Sequence, residues 1–267
     1  MLYAYAVTDD PGPEGGAPLP RSGILPELGV ERIRESGVAV IASPVPAGLL
    51  DAEAIAERIN DPEWARERVL AHQAVVTALL GTAAVLPLKF GTLFSGTAAL
   101  RATIETRRTA LAEALDQVRG AREWGVQLFV RQPPQAAPHA AAGRAGPGAG
   151  AAFFQRKREA RAAEQAAAAA LDRLAADSHA RLARRARAAV MNRPQPAAVH
   201  RRPGEMVLNG AYLVAEQDEA AWREDLAALE REAPETGADY ALTGPWAPYN
   251  FTGGALGAGA GGGVGSG

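Results

Sequence analysis

The sequence predicts an α+β fold in two domains, and three observations carry that reading. Apolar alternation of period two at residues 2–7 and 123–130, and short apolar runs at 206–214 and 238–243, mark strands. Apolar residues at helical spacing follow Pro62, Ser95 and Asp218 and mark helices between them. Residues 132–150 form a Pro/Ala/Gly stretch without periodicity, which reads as a linker. The expected layout is therefore an N-terminal α+β domain over 1–131, the linker, a C-terminal α+β domain with a long helical segment over 151–252, and a disordered glycine-rich tail over 253–267.

Along the chain, Leu2, Ala4 and Ala6 alternate with Tyr3, Tyr5 and Val7, as an antiparallel strand with one aromatic face would. A Gly/Pro-rich loop over 9–20 follows, then a short strand or turn over 24–30 and a second apolar strand over 38–42. Asp51 is placed to cap a helix over 52–59, and Asp61 to cap the next, with Pro62 at its first position. That helix is expected to turn Trp64, Val69, His72, Val76 and Leu79 or Leu80 inward and to end at Gly81. Residues 84–94 are too apolar for a loop, yet Pro87 bars them from a central strand. Ser95 or Thr97 then caps a helix to about Val118 with Leu100, Ile104, Leu111 and Leu115 on its inner face, and Gly120 stops it.

Beyond the linker, residues 151–192 are the longest helical candidate. Ala160, Ala167, Leu171, Leu174, Leu182, Ala189 and Val190 form a narrow apolar stripe, which fits either a close-packed helical hairpin or one long helix broken near Asp177-Ser178. A strand over 206–214, a helix capped by Asp218 with Trp222, Leu226 and Leu229 inward, and a strand over 238–243 complete an arrangement that resembles part of a ferredoxin-like unit.

Composition excludes several functions. With 267 residues and 48% apolar content the chain is long enough for real cores, and no apolar run reaches the ~18 residues of a transmembrane helix. The N-terminus lacks the basic region of a signal peptide, so a cytoplasmic location is expected, and the absence of cysteine agrees. No disulfide, thiolate metal site or cysteine nucleophile is available. The four histidines, His72, His139, His179 and His200, show no ligand spacing, and no phosphate loop or nucleophile elbow is present. No catalytic residue, cofactor site or metal site is therefore assigned, and His72 reads as a partly buried helix residue.

Charge is uneven. Residues 153–202 hold twelve Lys/Arg against four Asp/Glu, about +8, which leaves about −10 on the rest of a chain whose net charge is −2. That basic segment supports an alternative reading as a cytoplasmic nucleic-acid-binding protein. No aromatics interleave the cations from Gln155 to Arg202, and acidic flanks repel a polyanion, so a basic helix on an acidic domain or partner is the simpler account.

The densest stretch is Thr243-Gly244-Pro245-Trp246-Ala247-Pro248-Tyr249-Asn250-Phe251. Two prolines bar it from a helix interior or a central strand, and each of its three rings offers roughly 150–250 Å² to bury. It reads as an anchor.

Leu86-Pro87-Leu88-Lys89-Phe90-Gly91-Thr92-Leu93-Phe94 resembles a signature of the GvpL/GvpF family of gas vesicle proteins. Residues 206–214, with Asn209 and Tyr212-Leu213-Val214, resemble that family's LNAAYLV strand, and Gly244, Pro245, Trp246, Pro248, Tyr249 and Phe251 resemble its C-terminal motif. The opening residues 2–7 and Gly120, Glu123 and Trp124 fit as well, in the family's order. Lys89 stands where arginine is common, which keeps the charge without the bidentate fork, and Ala247 replaces a proline.

The resemblance implies a two-domain α+β protein with a C-terminal ferredoxin-like variant and no enzymatic activity. It implies an accessory or minor structural role in building gas vesicles, the protein-walled, gas-filled compartments of some prokaryotes. It also implies contact with the hydrophobic shell protein GvpA and with other accessory proteins. A very apolar shell subunit tends to aggregate before assembly, and a soluble partner covering its surface suppresses that. Two surfaces are candidates for such contacts: exposed apolar residues around Leu93 and Phe94, and the basic side chains of Arg184, Arg185 and Arg187. The aromatic turn is expected to be internal and to help fix the two domains against each other, with Trp246 buried. An exposed Trp246 ring would return it to the partner contacts.

Overall fold

The computed structural model describes residues 1–10, 12, 18–50, 57, 58, 60–131, 149–200, 202–233 and 237–253. It is an α+β fold with two antiparallel sheets. Residues 57 and 58 are helical; the rest of the helix expected over 52–59, most of the linker (132–148) and the glycine tail from residue 254 lie outside the described residues.

Two units interleave along the chain. One comprises Met1–Glu123, Leu213–Glu216 and Gly244–Gly267, the other Trp124–Tyr212 and Gln217–Thr243. The expected sequential division, with 123–130 closing the first domain, differs because strand β6 (Ala121–Val130) hydrogen-bonds into the second sheet.

In the first unit the tyrosine/alanine alternation of β1 (Leu2–Asp9) is buried on both faces from Leu2 to Thr8. It pairs antiparallel with β3 (Val38–Pro44), β4 (Val85–Pro87) and β5 (Leu93–Phe94), and β2 (Glu31–Glu35) covers the far side of β3. The sheet order is β2-β3-β1-β4, with β5 also on β1. Pro87 is tolerated because β4 is an edge strand, as its ring demands. Strand β2 escaped the sequence reading because only Ile33 among its five residues is apolar; the charges suit an exposed edge. Residues 24–30 form turns and no strand.

Helix α1 (Pro62–Leu79) starts where expected: the Asp61 carboxylate accepts from the amides of Glu63 and Trp64. It buries His72, Val75, Val76 and Leu79, whereas Val69, expected inside, is 41% exposed. Helix α2 (Thr97–Val118) buries Leu100, Ile104, Leu111, Leu115 and Val118, but neither Ser95 nor Thr97 caps it; the cap position is Gly96, which has no side chain to offer.

The second unit's sheet has the order β7-β8-β6-β9, with β7 (Ala188–Asn192), β8 (Glu205–Ala215) and β9 (Ala238–Trp246). In chain order it runs β6, α3 (Ala149–Ala183), β7, β8, α5 (Glu219–Glu232), β9, with a short helix α4 (Ala197–His200) before β8. Helix α3 is one unbroken element of 35 residues. The Ser178 hydroxyl, which suggested a break, donates to the Leu174 carbonyl at 2.6 Å and meets the Tyr240 hydroxyl at 2.7 Å, so its polarity is satisfied inside the fold.

The helix stops at Ala183, nine residues short of the expected Asn192; Ala189 and Val190 sit instead in β7. Alanines fit either period, so the stripe did not separate the two elements. Among the described side chains of α3 the C-terminal half is packed, through Ala175, Ser178 and Leu182, and residues 153–168 are all exposed. Helix α5 buries Trp222, Leu226 and Leu229 as its spacing predicts, although the Asp218 side chain makes no capping bond. No helix among the described residues is long and apolar enough to cross a membrane.

Candidate functional site

The first signature stretch is held by a buried relay. The Leu88 carbonyl can only accept, so His72 Nε2–H donates to it at 3.1 Å, and Nδ1 accepts from the Tyr3 hydroxyl at 2.9 Å. That hydroxyl in turn accepts from the Gly91 amide at 3.2 Å. Two side chains thus fix the backbone on both sides of Lys89 and Phe90. Gly91 has φ +82°, a conformation a side chain would strain. The Leu88 amide donates to the Tyr5 carbonyl and the Ala4 amide to the Thr92 carbonyl, which seats the turn on β1.

Tyr5 serves a second loop. Its hydroxyl accepts from the Ile24 amide at 2.6 Å and meets Ser43 Oγ at 2.8 Å, while Ser43 donates to the Gly29 carbonyl at 2.7 Å. Burial holds His72 neutral, its pKa lowered to about 4 against the Leu88 bond that favours the charged form. Burial likewise pushes the Tyr3 and Tyr5 hydroxyls well up.

The C-terminal motif is seated by a buried carboxylate. Glu123, 5% exposed, accepts from the Asn250 amide at 3.1 Å through Oε2 and from Asn250 Nδ2 at 2.7 Å through Oε1. Burial pushes its carboxyl above the ordinary range, against both of these bonds. Ala247 and Phe251 are buried, and burial pushes the Tyr249 hydroxyl up to about 12. Gly244 has φ +111°, again a glycine conformation, and the Gly244–Pro245 peptide is cis.

Gly244, Pro245 and Trp246 are exposed ahead of this seat, and the Trp246 side chain, expected to be buried, is 55% exposed. The prediction of an internal Trp246 is therefore overturned. The turn's own anchors are Ala247 and Phe251, and they leave the indole outside.

In the second unit Asn209 Nδ2 donates to the Arg193 carbonyl at 3.2 Å, and Tyr212 lies within hydrogen-bond reach of His179 Nδ1 at 3.0 Å. Tyr212 and Trp124 both pack on Trp222, with ring centroids 5.6 and 6.5 Å away, and the Arg223 guanidinium lies 4.2 Å from the Trp124 ring. The motif residues Asn209 and Tyr212 thus hold a strand and a core together.

The candidate partner residues fare differently. Leu93 is half-buried and Phe94 only 6% exposed, because β5 pairs them with Tyr3 and Leu2; they form no exposed apolar patch. Arg184 and Arg187 are exposed. Arg185 is bound to Asp225 at 2.6 Å, Arg181 reaches Asp225 and Glu232, and Arg202 reaches Asp239. The basic segment is thus partly neutralised within its own unit, which removes three cations from any polyanion face. The relay from Tyr3 through His72 and the Glu123–Asn250 seat went unseen in the sequence, since their partners stand 69 and 127 residues apart.

Comparison with known proteins agrees with these motifs. The family model described as "Gas vesicle synthesis protein GvpL/GvpF" matches residues 1–253. The chain is 32% identical over 268 residues to gas vesicle protein L of Streptomyces sp. (strain CB03234), covering 95% of this chain and 93% of that one. Its fold is similar to the crystal structure of GvpF from Microcystis aeruginosa, with a TM-score of 0.65 at 18% identity over 94% of this chain and 98% of that one. It is also similar to that of GvpF from Anabaena sp. PCC7120, with a TM-score of 0.62 at 17% identity over 94% and 95% of the two chains. The chain belongs to the GvpL/GvpF family of gas vesicle proteins, which take part in gas vesicle formation and are not known as enzymes.

Proposed function

We propose that this protein is a non-enzymatic accessory or minor structural component of gas vesicle assembly, acting in the cytoplasm and at the gas vesicle by binding the shell protein GvpA and other accessory proteins. Family membership over residues 1–253, with the three signature stretches in order, carries the reading. The β-α-β-β-α-β order of the second sheet supports its description as a ferredoxin-like variant. Trp246 supports a contact role: an indole left exposed by a turn whose neighbours are anchored loses little conformational freedom on binding and offers a large apolar face.

The test is genetic and biochemical. In a strain without a paralogue, deletion of the gene should abolish or malform gas vesicles, and the tagged protein should co-purify with the shell protein. Normal vesicles in the deletion strain would sink the proposal. The Trp246→Ala protein is expected to keep its fold and lose shell-protein capture.

A further inference from the structure

Among the described residues, nothing buries the side chains of the N-terminal half of α3 over 153–168. Every residue from Phe153 to Ala168 is exposed, about 24 Å of helix at 1.5 Å per residue. Alanine content and local bonds keep it helical: Gln155 donates to Glu159 at 2.9 Å and Arg158 to Gln155 at 3.3 Å. At its start Phe153 and Phe154 are 55% and 63% exposed. Phe154, Lys157, Arg158 and Arg161 line one face, at helical spacings of three, four and seven, so an apolar anchor is followed by three cations.

The first unit carries the complement. Helix α1 is also exposed on one face, where Glu63 and Glu67 precede Leu70, Ala74 and Ala78 at spacings of four, seven, eleven and fifteen. Leu70 is 57% exposed and Val69, beside it, 41%. Glu67 is paired with Arg68, yet its side chain stays 60% exposed.

We infer that the exposed half of α3 docks antiparallel on the outer face of α1 in a second copy of this chain. Phe154 and Arg161 are seven residues apart, and so are Leu70 and Glu63, so both ends of the contact match in one register. In it Phe154 covers Leu70, Arg158 faces Glu67 and Arg161 faces Glu63. Glu159 then flanks Arg66, so the one acid inside the cationic run meets the one cation inside the acidic run.

A face of α3 against itself lacks this match, since the four cations Arg156, Lys157, Arg158 and Arg161 oppose only Glu159 and Glu164 over 153–168. A polyanion meets those same two acids and is the poorer occupant. One helix pair buries less than the ~1,200–2,000 Å² of a stable interface, so the association is weak, concentration-dependent and salt-sensitive. The two patches differ, so the contact closes into a two-fold dimer when reciprocated and otherwise grows head to tail.

Sedimentation equilibrium of the full chain tests this. At about 0.05 M salt the weight-average mass should rise with concentration, and at about 0.5 M salt it should fall back to the monomer. Arg158→Glu with Arg161→Glu should weaken association about tenfold, and Glu63→Lys with Glu67→Lys by a similar factor. Combining all four should restore it. All four side chains are exposed, so circular dichroism should be unchanged, and Phe154→Ala gives an independent loss without altering charge.

A chain that stays monomeric throughout overturns the inference. Association indifferent to the α1 reversals, or a charge swap that fails to rescue, also overturns it. So does a monomeric chain whose α3 reversals abolish binding of duplex DNA, which would assign the arm to nucleic acid.

Discussion

In the first unit the rings of Tyr3, Tyr5 and His72 pack together, and their polar atoms hydrogen-bond to the backbone of two loops, at Leu88 and Gly91 from His72 and Tyr3 and at Ile24 from Tyr5. In the second, Trp222 is fully buried between Tyr212 and Trp124 and spends its one donor on the Leu182 carbonyl at 3.1 Å. Both clusters are aromatic, but they do different work. The second mostly removes apolar surface from water, which is non-directional and sets how stable the unit is. The first spends much of its burial on polar groups whose net worth is small when paired and whose loss is costly. It therefore sets which conformation the signature turn adopts.

Trp222→Ala should break the packed cluster and give the largest effect, about 3–5 kcal/mol, read as a lower urea midpoint by tryptophan fluorescence or circular dichroism. A loss below about 1 kcal/mol would mean that the indole is not the keystone of that core.

Acid should act on the relay next. His72 titrates near 4 when folded and near 6.5 when free. Between these values the unfolded chain binds the extra proton. The contribution is therefore fully present above pH 6.5 and is lost as the pH falls toward 4, by about 3 kcal/mol in all. Urea midpoints measured across that window should decline, and the His72→Gln protein, though weaker throughout, should decline less. Glu123 runs the other way, since its carboxyl is raised and its burial is better tolerated at low pH, so the comparison needs the His72 variant to isolate the imidazole.

Tyr3→Phe should be milder, about 1–3 kcal/mol, because it keeps the ring and removes one hydroxyl, leaving His72 Nδ1 and the Gly91 amide without a partner. The distinctive readout is local. Amide exchange should accelerate at Gly91 and Leu88 while the second unit is unchanged, and uniform acceleration through the chain would refute the view that the relay serves the turn.

These two clusters also explain what could be read from the chain. The strands over 2–7, 38–42 and 206–214 were legible as short apolar runs, and the helices after Pro62, Ser95 and Asp218 because one face is apolar at a regular helical period. Strand β2 was not, since a charged edge has no apolar period, and β7 was not, since Ala188 and Ala189 extend an alanine-rich helical pattern without interruption. The placement of β6 in the second sheet is a matter of pairing over long separations, which no local pattern records.

Of the candidate sites, the three signature stretches were visible and their supports were not. Phe94 read as an exposed apolar side chain because β5 is only two residues long and its partner is at the other end of the unit's sequence. Trp246 read as buried because aromatic density normally marks a core.

Trp246 gives the smallest stability effect and the sharpest contrast with Trp222. The two indoles are chemically alike, yet one is fully buried and the other is 55% exposed, beside Ala247 and Phe251, which are both buried. Truncating a half-exposed ring removes only part of the burial that Trp222 would lose, so Trp246→Ala should cost no more than about 1 kcal/mol in urea unfolding. Asn250→Ala on the same turn should cost more, about 1–3 kcal/mol, because it strips a hydrogen bond from the buried Glu123 carboxylate. If Trp246→Ala instead destabilises as Trp222→Ala does, the indole is a structural element after all, and its part in partner contact falls with that result. If stability holds while gas vesicle yield drops, the turn is a scaffold whose seat is Glu123, Asn250 and Phe251 and whose working face is Trp246.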